Sequence, residues 1–170
     1  MGNRRKAREC ALQILFQLEF NPADPQAVAR QYWESQKAAP GVQDYGSWLV
    51  DQILARRGEI DAAIQAVSRN WRLARMGAVD RNVLRIAVCE LLYERSLVPA
   101  IVIDEAIEIA KRYSGRESAT FVNGVLDAVR KKLEPGPAGR DKTAKEGKHE
   151  QERGRRVRRA RRGTTRREGD

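Results

Sequence analysis

Aromatic residues make up only 6% of this 170-residue chain, too few for the β-branched and aromatic alternation that sandwich strands require. An all-β fold is therefore not expected. There is a single histidine, His149, and it lies in a polar, basic stretch that offers no core to hold a general base. The two cysteines, Cys10 and Cys89, are far apart, with no Cys or His at metal-ligand spacing, and both fall on helical patterns. They are expected to be reduced core residues of a cytoplasmic protein. Apolar stretches are broken by charge well before 18 residues, and no apolar segment precedes a small-residue cleavage site, so neither a membrane span nor a signal peptide is expected. No G-x-S-x-G motif, glycine-rich phosphate loop or metal-ligand cluster is present, so no enzyme activity, cofactor or metal is expected.

What is abundant is positive charge, with 33 Lys and Arg against 23 Asp and Glu and a formal charge of +10. Residues 135–170 hold 13 of those bases and only 6 of the acids. This stretch opens with Pro135-Gly136-Pro137 and has Val157 as its only branched or aromatic hydrophobe, so it is expected to be a disordered, Arg-rich tail. As a flexible coil it would span about 30–35 Å, enough to reach a polyanion bound to the domain. A solubilising role fits its disorder equally, although arginine in place of lysine favours phosphate and base contacts. Residues 1–134 are expected to form one domain.

Within 1–134 the apolar residues recur every three or four positions. Ala7, Ala11, Ile14, Leu15 and Leu18 mark a first helix from Arg4 to Glu19 that ends at Asn21-Pro22. Asp24-Pro25 supplies an N-cap and a first-position proline for a second, with Val28, Tyr32 and Trp33 on one side. Beyond Pro40-Gly41, the pattern of Tyr45, Trp48, Leu49 and Ile53 runs to Gly58, and Ile60, Ile64 and Val67 continue it in a shorter helix, predicting a helical hairpin. The segment from Val83 to Leu92 is apolar on almost every side except at Arg85 and Glu90, as in a central helix. Ile103, Ala106, Ile107 and Ala110 follow Pro99, and Phe121, Val122, Val125, Leu126 and Val129 mark the last helix, from about Glu117 to Leu133. Its Asn123-Gly124 pair would signal a hairpin turn between strands, but the helical period runs through it, and a close backbone approach at Gly124 is expected to compensate for the missing Cβ. The count is about seven helices and no strand.

Two surfaces invite a function. Arg4, Arg5, Lys6 and Arg8 crowd the start of the first helix, where like charges four apart cost about 0.2–0.5 kcal/mol and cations oppose the helix dipole by about 0.3–1 kcal/mol. A bound phosphate chain would relieve both, while a solvated, frayed end is the plain alternative. Leu12, Phe16 and Phe20 form an additional stripe that reads either as a widened core face or as a strip for a partner. The acids Asp104, Glu105 and Glu108 read as a solvated helix face.

Taken together, Arg4-Arg5-Lys6-Ala7-Arg8-Glu9-Cys10-Ala11-Leu12-Gln13, Val83-Leu84-Arg85-Ile86-Ala87 with Glu90-Leu91, Asp104-Glu105-Ala106-Ile107-Glu108-Ile109-Ala110-Lys111, and Phe121-Val122-Asn123-Gly124-Val125-Leu126-Asp127 resemble the NusB family of bacterial transcription factors. The resemblance covers roughly residues 4–133. It implies an all-α fold of two packed helical subbundles and a role in antitermination. It implies that the protein pairs with NusE, also a protein of the small ribosomal subunit, and that the pair binds single-stranded boxA RNA of ribosomal RNA leaders. It further implies assembly with other Nus factors on RNA polymerase, which suppresses Rho-dependent termination.

By the same resemblance, Arg4, Arg5, Lys6 and Arg8 correspond to an arginine-rich RNA-binding motif, and Phe16, Phe20 and Asp80 face NusE, with Leu12 on the same strip. Glu117 corresponds to an acidic site near the RNA and partner surfaces. Phe121 fits either the RNA edge or the core, and Arg85 either an RNA contact or a buried ion pair. The chain departs from the family in its basic tail and at Cys89, where an aromatic residue is frequent. Two rival readings of the sequence are the helical module that precedes the catalytic domain of some ribosomal RNA cytosine methyltransferases, and a nonspecific nucleic-acid coating protein. The free protein is open to being a monomer or a homodimer. If all four opening cations touch phosphates, their loss should flatten the salt dependence of RNA binding by about 3 log units per log of salt.

Overall fold

The computed structural model describes residues 2–21 and 24–134, and the expected tail lies outside the described residues. The described chain is helical: α1 (Gly2–Phe20), α2 (Pro25–Ser35), α3 (Pro40–Ala55), α4 (Arg57–Gln65), α5 (Ala78–Tyr93), α6 (Pro99–Tyr113) and α7 (Arg116–Leu133), with a 3-10 turn at Leu73–Arg75. No strand occurs among the described residues, and no helix there is long and apolar enough to cross a membrane.

The punctuation follows local chemistry. Asp24 caps α2 by accepting the Gln26 amide at 3.1 Å, and Pro25, Pro40 and Pro99 each stand at the start of a helix, where no backbone donor is missed. Gly115 sits at φ +106°, a conformation that side chains resist, and its amide donates to the Ala110 carbonyl at 3.1 Å as α6 gives way to α7. The break between α3 and α4 falls at Arg56, two residues before the expected Gly58, and Gly58 lies inside α4 with open space around it. A single residue thus separates these two helices in place of a hairpin turn.

α5 is the central helix. It packs against α1, α3 and α4 on one side of the sequence and α6 and α7 on the other, and every residue from Asn82 to Glu90 is buried. α1, α2 and α3 form an N-terminal group, while α6 and α7 close on α5 as a C-terminal group. Cys10 and Cys89 are free and buried in the shared core, and burial pushes the Cys89 thiol up to about 12.

The expected close approach at Gly124 is not there. That residue is exposed, with nothing within 4 Å of a built Cβ, because the helix turns it away from its neighbours. The approach occurs at Gly46 on α3, where a Cβ would lie 2.9 Å from the Trp33 ring and 3.2 Å from the Ala7 carbonyl oxygen. Glycine there lets α1, α2 and α3 meet.

Candidate nucleic-acid and partner interface

The basic start of α1 is sorted by depth. Arg4 and Lys6 are exposed and form no ion pair among the described residues, and the Arg4 guanidinium lies 4.9 Å from the Tyr45 ring centroid. Arg5 is half exposed but bound at both ends, its Nε and Nη2 donating to Glu105 at 2.8 and 2.7 Å. Arg8 is interior at 3% exposure. Its Nε reaches both oxygens of Glu90 at 2.9 and 3.0 Å, and its Nη1 lies 3.4 Å from Glu105. Tyr45 donates to Glu90 at 2.5 Å, and Glu9, also buried, accepts from Arg112 at 2.8 Å.

This network replaces the repulsion read from sequence. The Arg4–Arg8 pair does not confront two solvated cations, because Arg8 is compensated by carboxylates on α5 and α6. Arg8 is therefore corrected from an exposed RNA-facing cation to the tie that fastens α1 to the central helix. Glu105 is corrected too, since it is buried and paired and not on a solvated face. A signal for this was present: Glu105 stands three residues after Val102 and four before Ile109, on the apolar face of α6. The Arg5 hydrogen bond and charge, aided by Arg8 and against the opposing effect of burial, hold the Glu105 carboxyl below the usual range.

Arg85 resolves to the buried alternative. Its Nε and Nη2 donate to Asp61 at 2.7 and 3.0 Å, and its Nη1 to Glu19 at 2.9 Å. Arg81 also pairs with Glu19 and donates to the carbonyls of Leu73 and Met76 at 3.1 and 2.7 Å, pinning the 3-10 turn. Burial raises the Glu19 carboxyl, but the hydrogen bond from Arg81 and the charges of Arg81 and Arg85 outweigh it and leave the group below its ordinary value.

The aromatic stripe divides. Leu12 is a core residue, corrected from the partner strip by its burial, whereas Phe16 and Phe20 are 40% and 69% exposed with ring centroids 4.9 Å apart. From Arg4, these rings lie about 18–24 Å along the helix axis at 1.5 Å per residue. The two surfaces thus occupy opposite ends of α1. Asp80, in the first turn of α5, is half-buried. Its Oδ2 accepts from Ser118 at 3.0 Å, and its Oδ1 has no hydrogen-bond partner among the described residues. Glu117 is exposed in the first turn of α7. Phe121 is half-buried against the core and meets the exposed Trp71 edge-on, with centroids 6.2 Å apart.

An open cleft of about 950 Å³ lies between the end of α1, α4 and the start of α5, and five arginines, including Arg57, Arg69 and Arg72, line it. Neither this cleft nor Trp71 is foreseen in the sequence pattern, since both arise where the irregular segment after α4 crosses other helices. No cluster of potential metal ligands occurs among the described residues.

The model of the NusB family matches residues 5–131. The chain is 40% identical over 142 residues to the transcription antitermination protein NusB of Sorangium cellulosum (strain So ce56), covering 84% of this chain and all of that one. In structure it is similar to NusB of T. maritima, with a TM-score of 0.72, 36% identity and coverage of 78% of this chain and 93% of that one. It is also similar to a chain from a crystal structure of antitermination factors NusB and NusE in complex with double-stranded RNA, with a TM-score of 0.70, 29% identity and coverage of 78% and 98%.

Proposed function

Because the chain belongs to the NusB family of transcription antitermination proteins, we propose that it works as the RNA- and NusE-binding member of an antitermination assembly. It pairs with NusE on single-stranded boxA RNA of ribosomal RNA leaders, joins other Nus factors on RNA polymerase, and suppresses Rho-dependent termination. The mechanism is assembly, with two modest contacts made at once.

The observation that carries this reading is the sorting of α1. Arg5 and Arg8 are spent on internal carboxylates, and that anchorage leaves Arg4 and Lys6 presented to solvent on a rigid helix. At the far end Phe16 and Phe20 form an exposed aromatic pair, with Asp80 and Glu117 as acidic groups on neighbouring helix starts. Phosphates suit the first surface and an apolar, basic protein partner suits the second.

Salt titration tests the RNA half. Single-stranded RNA releases about 0.7 counterions per phosphate neutralised, so an Arg4→Ala, Lys6→Ala double variant should flatten the slope of log K against log salt by about 1.4. That is half the change expected when all four cations face RNA. An unchanged slope would remove this end of α1 from the RNA site.

A further inference from the structure

The segment between α4 and α5 combines a fixed backbone with an exposed aromatic ring. Gln65 donates to the carbonyls of Ser68 and Trp71 at 3.1 and 3.3 Å and accepts the Leu73 amide at 3.0 Å, while Arg81 holds the carbonyls of the 3-10 turn. Despite this bracing, the Trp71 side chain is 62% exposed, touching Phe121 edge-on at an interplanar angle of 72°. Arg69, Arg72 and Arg75 stand around it in the sequence, all exposed and none in an ion pair among the described residues. Arg69 and Arg72 also line the cleft, where Glu19 and Asp61 are already engaged by Arg81 and Arg85.

We propose that Trp71, with Arg69, Arg72 and Arg75, forms a second single-stranded RNA contact, in which a base stacks on the indole and the guanidiniums pair with the flanking phosphates. Three chemical facts favour RNA over a protein occupant. An indole stacks any base, because every base offers a π-face. Guanidinium groups bind phosphate in a planar, two-pronged way. The cleft beside them has cations in excess after its acids are paired. The inference rests on the RNA-binding reading above and extends its surface from the start of α1 to the segment before α5. Pre-organisation matters here, since a braced loop loses little freedom when a base lands on it.

The test uses the full chain and a labelled single-stranded RNA of about 20 nucleotides carrying boxA, followed by anisotropy across a salt series. Trp71→Ala should weaken binding about 5- to 150-fold, the range of one lost base stack, while Trp71→Phe keeps most of the affinity. Arg69→Ala with Arg72→Ala should flatten the salt slope by about 1.4. Helical circular dichroism should be unchanged in all of them, because the indole is mostly outside the core. If wild type binds and Arg4→Ala, Lys6→Ala weakens it, but the Trp71 and arginine variants bind like wild type, the second contact is overturned and the function stands. If these variants lose NusE affinity and keep RNA affinity, the surface is a protein dock and the inference is again overturned. Failure of the wild-type chain to bind the RNA would instead overturn the functional reading on which it rests.

Discussion

Arg8 shows how one side chain decides what its neighbours can do. At the start of an exposed helix it reads as one more cation, but its bonds to Glu90 and Glu105 make it a structural tie among α1, α5 and α6. Removing one partner of a buried pair leaves the other charge uncompensated, so Arg8→Ala should destabilise the fold by about 3–5 kcal/mol in denaturant titration. Arg4→Ala, on an exposed residue, should change stability by less than about 0.5 kcal/mol. Equal losses for the two would contradict the sorting of cations by depth.

The same pairs set the acid response. Glu105 and Glu19 are held below their ordinary values in the folded chain, so the unfolded chain takes up protons first as acid is added. Their contribution is complete above the unfolded glutamate value of about 4.3 and is lost as pH falls through the lower folded values. Melting temperature should therefore be steady toward neutral pH and drop below about pH 4. Glu105→Gln should shrink that drop, which scanning calorimetry at several pH values would detect.

At the scale of elements, two glycines inside helices carry opposite expectations. A Cβ at Gly46 would meet the Trp33 ring and the Ala7 carbonyl oxygen, so Gly46→Ala should cost about 1–3 kcal/mol by overpacking. Gly124 faces open space in mid-helix, so Gly124→Ala should stabilise by about 0.5–1 kcal/mol through helix propensity alone. Thermal melts of the two variants should move in opposite directions.

These elements also show what a sequence can and cannot convey. The helix starts at Pro25, Pro40 and Pro99 and the run of helix through Asn123-Gly124 were legible, because a cap, a proline and a 3.6-residue period act within a few residues of themselves. The break at Arg56 was not, since Gly58 is the stronger local punctuation and the bend answers to the packing of α3 and α4 on α5. Which glycine lies at a close approach is likewise a property of three helices meeting.

For the whole molecule, the sequence conveys which residue types compose the candidate interface and only partly which of them reach the surface. Arg4, Lys6, Phe16 and Phe20 reach the surface, whereas Leu12 joins the hydrophobic core and Arg8 and Arg85 are drawn inward by partners far along the chain. Glu90, Glu105, Glu19 and Asp61 are those partners, and nothing local to the arginines announces them. Trp71 escapes notice for the converse reason, since an aromatic residue in an irregular segment has no period to betray that it faces solvent.

The described residues place cations at one end of α1 and an aromatic pair at the other, and the proposed function requires RNA and NusE to be held together through both. A gel shift of boxA RNA with and without purified NusE tests this most directly, repeated with Arg4→Ala, Lys6→Ala and with Phe16→Ala, Phe20→Ala. NusE should raise RNA affinity for wild type, the cation variant should weaken binding with or without NusE, and the aromatic variant should lose only the enhancement. No enhancement of the wild-type chain by NusE, or an aromatic variant enhanced as fully as wild type, would overturn the proposed joint binding of RNA and NusE.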